Sequence, residues 1–404
     1  MQTDPEAAGM NPRQLARIRA HLETRYLEPG KVAGFLPLVW RRGHPAWCQP
    51  LGMMDRERER PMREDTIFRI YSMTKPVTSV ALMTLYEEGH FQLNDPVRRF
   101  IPELADLRVF RSGNYPDFLT RPAERPVTIR HLLTHTAGLT YDFMQHSNVD
   151  RAYRRLGVRP EPAGDAREMI RRLAGLPLEF TPGTRWNYSF ATDVAGHLVE
   201  RISGQSLETF LRRRIFGPLA MDDTGFTVPP ESVGRFAANY ERGPDKRLRL
   251  IDDPQDSPYI RDKTFFSGGG GLVSTAGDYL RFCRMLLGGG SLEGVRILGR
   301  RTLDLMTRNH LPGGADIPAI GLDTVVERNM DGYGFGLGFS VNLGPERTGT
   351  IGSAGEYAWS GAASTLFWVD PAEDLVCILM TQLMPSGTFN FRDQLKALVY
   401  PAIE

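Results

Sequence analysis

The residues best placed by type and spacing to do chemistry are Ser72 and Lys75, in Ser72-Met73-Thr74-Lys75. A serine hydroxyl and a lysine ammonium three residues apart at a helix start lie one turn apart on one face. The backbone N–H groups of such a start are unsatisfied and partly positive. They can stabilise an oxyanion formed when the serine attacks a carbonyl. A lysine on the buried side loses solvation, which favours its neutral form and gives the serine a proton partner without histidine. With 17 Ser and 5 Lys in 404 residues, chance supplies roughly 0.2 such pairs. A capping serine beside a snorkelling lysine explains the tetrapeptide equally well, so its context must decide.

The elements around it are legible from periodicity. Thr66 to Tyr71 is a short extended run feeding Ser72. From Lys75 to Glu88, the residues Val77, Val80, Ala81, Leu82, Leu85 and Tyr86 cover more than one face, so this helix should be buried and end at Gly89. Pro76 falls in the first turn, where it costs little. Near the N-terminus, Asn11-Pro12 followed by Leu15, Ile18, Leu22 and Tyr26 reads as a capped helix. Gly34–Trp40, a turn at Gly43-His44-Pro45, and Ala46–Met53 read as a hairpin against it. Residues of about 92 to 220 lack strong strand alternation and hold helical periods at Arg167–Leu173 and Ser189–Ile202. Thr275 and Asp278 form a capping pattern before Leu280, Phe282, Met285 and Leu286. Tyr333–Asn342, Tyr357–Val369 and Leu375–Thr381 read as consecutive antiparallel strands, followed by a helix through Leu395 and Leu398.

Bulk properties narrow the function class. The length exceeds what one core usually holds, so two lobes are expected. Net charge +1 gives no general attraction to nucleic acid or to an anionic membrane. Arg171-Arg172 and Arg212-Arg213-Arg214 read as solvated helix faces. Cys48, Cys283 and Cys377 are odd in number and lack CxxC spacing, which argues against a disulfide framework and a zinc site. The polar N-terminus lacks a secretory core and no run approaches membrane-span length, so the expectation is a cytoplasmic, reduced protein.

No G-x-S-x-G surrounds any serine. His131 and His135 have no adjacent Glu and are expected to be structural, with no metal bound. Gly268 to Gly271 fits no phosphate-binding pattern and reads as a close backbone approach near a cleft. Tyr188 follows a Pro-Gly turn in Thr181-Pro-Gly-Thr-Arg185-Trp186-Asn187-Tyr188-Ser189. A phenol near a lysine ammonium has a lowered pKa and can act as general base, although a lone tyrosine is equally at home in a core.

Four segments occurring in one order carry a family resemblance: Phe68 to Leu104, His131-Leu-Leu-Thr-His-Thr-Ala-Gly-Leu139, Pro182 to Ser189, and Ser267-Gly-Gly-Gly-Gly-Leu-Val-Ser-Thr275. Together, over roughly residues 15 to 395, they resemble the serine β-lactamase/penicillin-binding-protein-like superfamily in its class C branch. Family VIII carboxylesterases and lovastatin-type acyltransferases are the nearest match. The resemblance implies an α/β (α+β) fold with an antiparallel sheet flanked by helices and an inserted helical domain. The α/β part would comprise residues 1–91 and 236–404, and the helical part 92–235.

By this resemblance Ser72 is the nucleophile, Lys75 its proton partner and Tyr188 the general base. The asparagine that follows such a tyrosine in the family is missing from Tyr188-Ser189-Phe190. Trp359-Ser360-Gly361 replaces the family's Lys-Thr-Gly, while Lys263-Thr264-Phe265 precedes the glycine run and is a decoy. The N–H groups of Ser72 and Ala362 would form the oxyanion site. An indole at Trp359 cannot pair with a substrate carboxylate and offers an apolar wall, which favours neutral esters. Gly361 would border the substrate. Tyr141, Asp142 and Phe143 either line the acyl pocket or are ordinary loop residues.

The expected activity is hydrolysis of small, short-acyl esters through an acyl-enzyme, with no cofactor, a small-molecule ester as substrate, and neither nucleic acid nor membrane as partner. The alternatives are acyl transfer to an alcohol, β-lactam or peptide hydrolysis, and a catalytically inactive recognition module.

Overall fold

The computed structural model describes residues 1–160, 164–322 and 330–404. Its centre is a nine-stranded antiparallel sheet built from both ends of the chain. The order across it is Tyr333–Phe335, Ser340–Asn342, Tyr357–Ser360, Leu366–Asp370, Leu375–Met380, Gly34–Arg41, Leu51–Asp55 and Arg60–Pro61, with His44–Cys48 also paired to Gly34–Arg41. Among the described residues no helix is long and apolar enough to cross a membrane.

The central strands are apolar on both faces because the sheet is covered on both. Side chains alternate across a strand, and Leu375–Met380 follows this rule throughout. Leu375, Cys377 and Leu379 pack with Leu15, Ile18, Leu22, Leu395 and Val399 of the two terminal helices, Pro12–Leu22 and Phe391–Val399. Val376, Ile378 and Met380 face the opposite way, into the core shared with Val77, Val80 and Leu82 of the Thr74–Glu87 helix and with Phe282 and Met285 of the Ala276–Leu287 helix. Trp359, paired with Phe367, points into this second core, whereas its neighbour Ala358 points into the first. A slip of one residue in that strand would exchange them.

Local signals explain the helix ends. The Asn11 side chain accepts from the N–H groups of Arg13 and Gln14, with Pro12 at the first helical position. The Thr275 side chain accepts from the Asp278 N–H.

Three expectations are corrected. The Ala46–Met53 run breaks at Gln49-Pro50 into two strands that pair with different ends of Gly34–Arg41. Tyr333–Asn342 folds back on itself as two short strands, and Tyr357–Val369 likewise turns between Ser360 and Leu366. The segment read as free of strands carries a hairpin, Arg108–Asn114 with Asp117–Pro122. Its residues are mostly polar and exposed or half-buried, so it lacks the apolar alternation that would have revealed it.

A buried polar cluster fastens the sheet to the last helix. Lys396 Nζ donates to Glu356 Oε1 at 2.6 Å and to the Tyr333 hydroxyl at 3.1 Å. The Tyr400 hydroxyl lies 2.8 Å from Glu356 Oε2 and 2.7 Å from Asp370 Oδ2. Burial pushes the Glu356 carboxyl upward, and the Lys396 ammonium beside it opposes that shift. Lys396→Met strips the buried carboxylates of their cation and should destabilise the protein by about 3–5 kcal/mol. Adding Glu356→Gln should recover most of that loss, as read by urea unfolding. Equal stability of the single and double variants would contradict this account.

Candidate active site

Ser72 stands on a strained turn. Tyr71 has φ +42°, in the left-handed region that a bulky side chain rarely adopts. Its hydroxyl accepts from Asn239 Nδ2 at 3.1 Å, which helps hold it there. The turn Tyr71–Met73 is a 3₁₀ helix, and the α-helix begins only at Thr74. Ser72 therefore precedes the α-helix instead of opening it, and its side chain is half-buried at the mouth of the site.

One turn on, Lys75 is 1% exposed. Its Nζ donates to Ser72 Oγ at 3.0 Å and to the Gly269 carbonyl at 2.7 Å. Burial pushes the ammonium down to about 7, with the charge of Asp193 opposing the shift. A lysine poised there can give up its proton near neutrality and then accept the one from Ser72.

The Ser267–Leu272 segment runs along the start of this helix and holds it by polar contacts. Thr78 Oγ1 donates to the Gly268 carbonyl, and the Leu272 N–H donates to Thr74 Oγ1. The expected close approach is real: a Cβ on Gly269 would lie 2.3 Å from Asp193 Oδ2. Asp193 Oδ1 accepts from Ser267 Oγ at 2.6 Å and from the Gly269 N–H at 3.1 Å. Asp193 is a site residue that sequence reasoning missed. It lies in the first turn of the Ala191–Ser203 helix, where an acid looks like ordinary compensation of the helix dipole.

Tyr188 faces Lys75 across the cleft, with Lys75 Nζ 4.5 Å from its ring centroid. The extended segment that carries Tyr188 is fixed by the His131–Leu139 motif and the residue after it. The Asn187 N–H donates to the His135 carbonyl, Asn187 Nδ2 to the Leu139 carbonyl, and the Phe190 N–H to the Thr140 carbonyl. The rings of His135, Trp186, Tyr141 and Trp359 surround the phenol. Trp359 does more than form a wall, because its indole N–H donates to the Tyr188 hydroxyl at 3.3 Å.

The Trp359-Ser360-Gly361 strand end reaches the Ser72 turn because Gly361 has no side chain. A Cβ there would lie 2.4 Å from the Ile70 carbonyl oxygen. Gly361 is thus a buried spacer and not an open face for substrate. Ala362 follows directly and is half-buried, as Ser72 is.

The remaining candidates divide. Tyr141 belongs to the site, 5.4 Å from Lys75 Nζ by its ring centroid and edge-on to Tyr188. Phe143 stacks on Tyr141 but is 58% exposed, at the rim. His131 Nδ1 accepts from the Thr128 N–H in a helix cap, while His135 lies among the rings behind Tyr188. Among the described residues no cluster of His, Cys, Asp and Glu could hold a metal. Lys263 lies over the Tyr259 ring in a cavity of about 240 Å³ lined by Tyr71, Phe226, Phe265 and Gly270, away from the Tyr357–Ser360 strand. Cys283 and Cys377 are core residues.

Comparison with known proteins places the chain in a family. The profile of the family described as Beta-lactamase matches residues 19–400. The chain belongs to the beta-lactamase family. Its fold is accordingly that of β-lactamases and penicillin-binding proteins. Among family relatives, Protein Rv1367c of Mycobacterium tuberculosis is 38% identical over 363 residues, covering 89% of this chain and 88% of that protein. Esterase EstB of Burkholderia gladioli is 32% identical over 406 residues, covering 95% and 94%. A solved structure of EstCE1, described as a hydrolase with promiscuous acyltransferase activity, superposes with a TM-score of 0.81 at 26% identity, covering 96% of this chain and 99% of that one. The beta-lactamase family chain described here thus has esterase and hydrolase relatives along nearly its whole length.

Because Lys75 must be neutral to accept a proton, reaction of Ser72 with a fluorophosphonate should accelerate as pH rises through about 7 and fade below it. Lys75→Arg, which keeps its proton at every usable pH, should lose the reaction by roughly 10³-fold. A rate independent of pH between 5.5 and 8.5, roughly 1.5 units either side of that midpoint, would contradict the assignment.

Proposed function

We propose that this protein is a serine carboxylesterase of the family VIII type, hydrolysing small neutral esters through an acyl-enzyme on Ser72. The observation that carries the reading is the contact of Lys75 Nζ with Ser72 Oγ at 3.0 Å, made by a buried lysine whose ammonium is pushed down to about 7. Neutral Lys75 takes the Ser72 proton as Oγ attacks the ester carbonyl, and the oxyanion rests on the N–H groups of Ser72 and Ala362. Tyr188, beside Lys75 and hydrogen-bonded by Trp359, works with the lysine to return the proton to the departing alcohol. A water activated by the same pair then releases the acid. The esterase relatives support ester chemistry over amide chemistry. An aromatic side chain, Trp359, where a carboxylate-binding lysine would stand, supports neutral substrates.

Acyl transfer is the second reading. It uses the same acyl-enzyme with an alcohol in place of water, and the acyltransferase side activity named for EstCE1 favours it. Adding short alcohols to the assay separates the two by the ratio of new ester to free acid.

The test is a panel of p-nitrophenyl acetate, butyrate and decanoate, nitrocefin and an anilide, with wild type and Ser72→Ala. The short esters should be turned over fastest, and Ser72→Ala should abolish turnover. Nitrocefin cleaved much faster than the butyrate ester would overturn the ester assignment, and activity retained in Ser72→Ala would overturn the nucleophile. Trp359→Phe keeps the apolar wall but removes the donor to Tyr188. It should lower kcat by about 3–10-fold, the worth of one neutral hydrogen bond. An unchanged kcat would show that the indole N–H plays no part.

A further inference from the structure

We propose that Asp193 is the positioning residue that sets the working charge state of Lys75, acting through Gly269 and through its own negative charge. The contacts form one continuous line. Asp193 Oδ1 accepts from the Gly269 N–H at 3.1 Å, the Gly269 carbonyl accepts from Lys75 Nζ at 2.7 Å, and Lys75 Nζ reaches Ser72 Oγ at 3.0 Å. The carboxylate anchors the Gly269 N–H and so fixes the backbone that aims the Gly269 carbonyl at Lys75 Nζ. Burial pushes the Asp193 carboxyl upward, and the Ser267 hydroxyl at 2.6 Å, the Lys75 charge and the Gly269 N–H oppose that shift.

The groups facing Lys75 leave this role to Asp193. The rings of Tyr188 and Tyr141 present their faces to Nζ at 4.5 and 5.4 Å from their centroids. His135, buried behind Tyr188, is held neutral, its pKa pushed well below the ordinary imidazole value by burial and by the lysine charge. Burial of Tyr141 keeps its phenol protonated. Asp193, 2% exposed, is the carboxyl whose charge opposes desolvation of the lysine. Without it, burial alone would drive the lysine further toward its neutral and weakly basic form. A lysine too easily deprotonated is a poor proton acceptor, so the carboxylate trades ease of ionisation for basicity.

The inference rests on the reading of Lys75 as proton acceptor for Ser72. Its test is the pH dependence of Ser72 labelling by a fluorophosphonate in the full chain, comparing wild type, Asp193→Asn and Ser267→Ala. Asp193→Asn retains an oxygen able to accept from both Ser267 and Gly269 but has no charge. The acid limb should move to lower pH by roughly one unit, while the plateau rate falls. Ser267→Ala keeps the carboxyl and its Gly269 contact and should move the limb in the same direction, by less than Asp193→Asn does. A purely structural role for Asp193 gives the opposite sign: a loosened Gly268–Gly271 segment admits water, relieves desolvation and moves the limb toward higher pH. A limb that stays in place or moves up in Asp193→Asn overturns the proposal while leaving the Lys75 reading intact. A wild-type rate that does not change with pH overturns both.

Discussion

Desolvation of one ammonium group organises this site. Lys75 enters the core on the first turn of the Thr74–Glu87 helix, surrounded by rings, and its Nζ donates to Ser72 Oγ and to the Gly269 carbonyl. A cation in that setting is destabilised by several kcal/mol relative to water, and the system relieves the cost by letting the lysine lose its proton near neutrality. The surroundings can be understood as limits on that process. The Gly269 carbonyl and the Asp193 charge keep the ammonium from being too unstable, while Tyr188 and Tyr141 exclude the water that would otherwise solvate it. The proposed nucleophile then needs no histidine, since the helix itself supplies the base one turn away.

The sheet's contribution is geometric. Pairing of Trp359 with Phe367 fixes which face of the strand meets the helix, and alternation along the strand sends the indole toward Tyr188 and Ala358 toward the terminal helices. Two residues on, Gly361 lets the strand end come against the Ile70 carbonyl, just before the Ser72 turn. The strain at Tyr71 completes the arrangement by turning Ser72 out of the helix that follows. The Glu356–Lys396–Tyr400 cluster holds the same strand from its other end, which links the stability of the C-terminal helix to the placement of Trp359.

Much of this was legible in the chain, for identifiable reasons. The Ser72–Lys75 pair, the buried helix and the glycine run have local signatures: fixed spacing, apolar residues on every face, and a lack of side chains where backbones meet. Strand pairs were less visible because turns such as Ser360–Leu366 lie within apolar runs, and the Arg108–Pro122 hairpin is too polar to alternate. Asp193 was invisible in principle, since its partners Ser267 and Gly269 lie more than 70 residues away and its position suits an ordinary helix start. The same holds for the Trp359 donor: sequence identified the indole, but only the packing shows that its N–H meets the phenol.

The scarcity of lysine, 5 residues against 44 arginines, makes the titration of Lys75 directly measurable. In protein labelled with ¹³C at lysine Cε, the resonance missing from Lys75→Met can be followed against pH. The account predicts a midpoint at about 7, well below the ordinary lysine value of 10.5. A midpoint at or above that ordinary value would contradict it, because Lys75 would then be charged throughout the working range and unable to take the proton from Ser72.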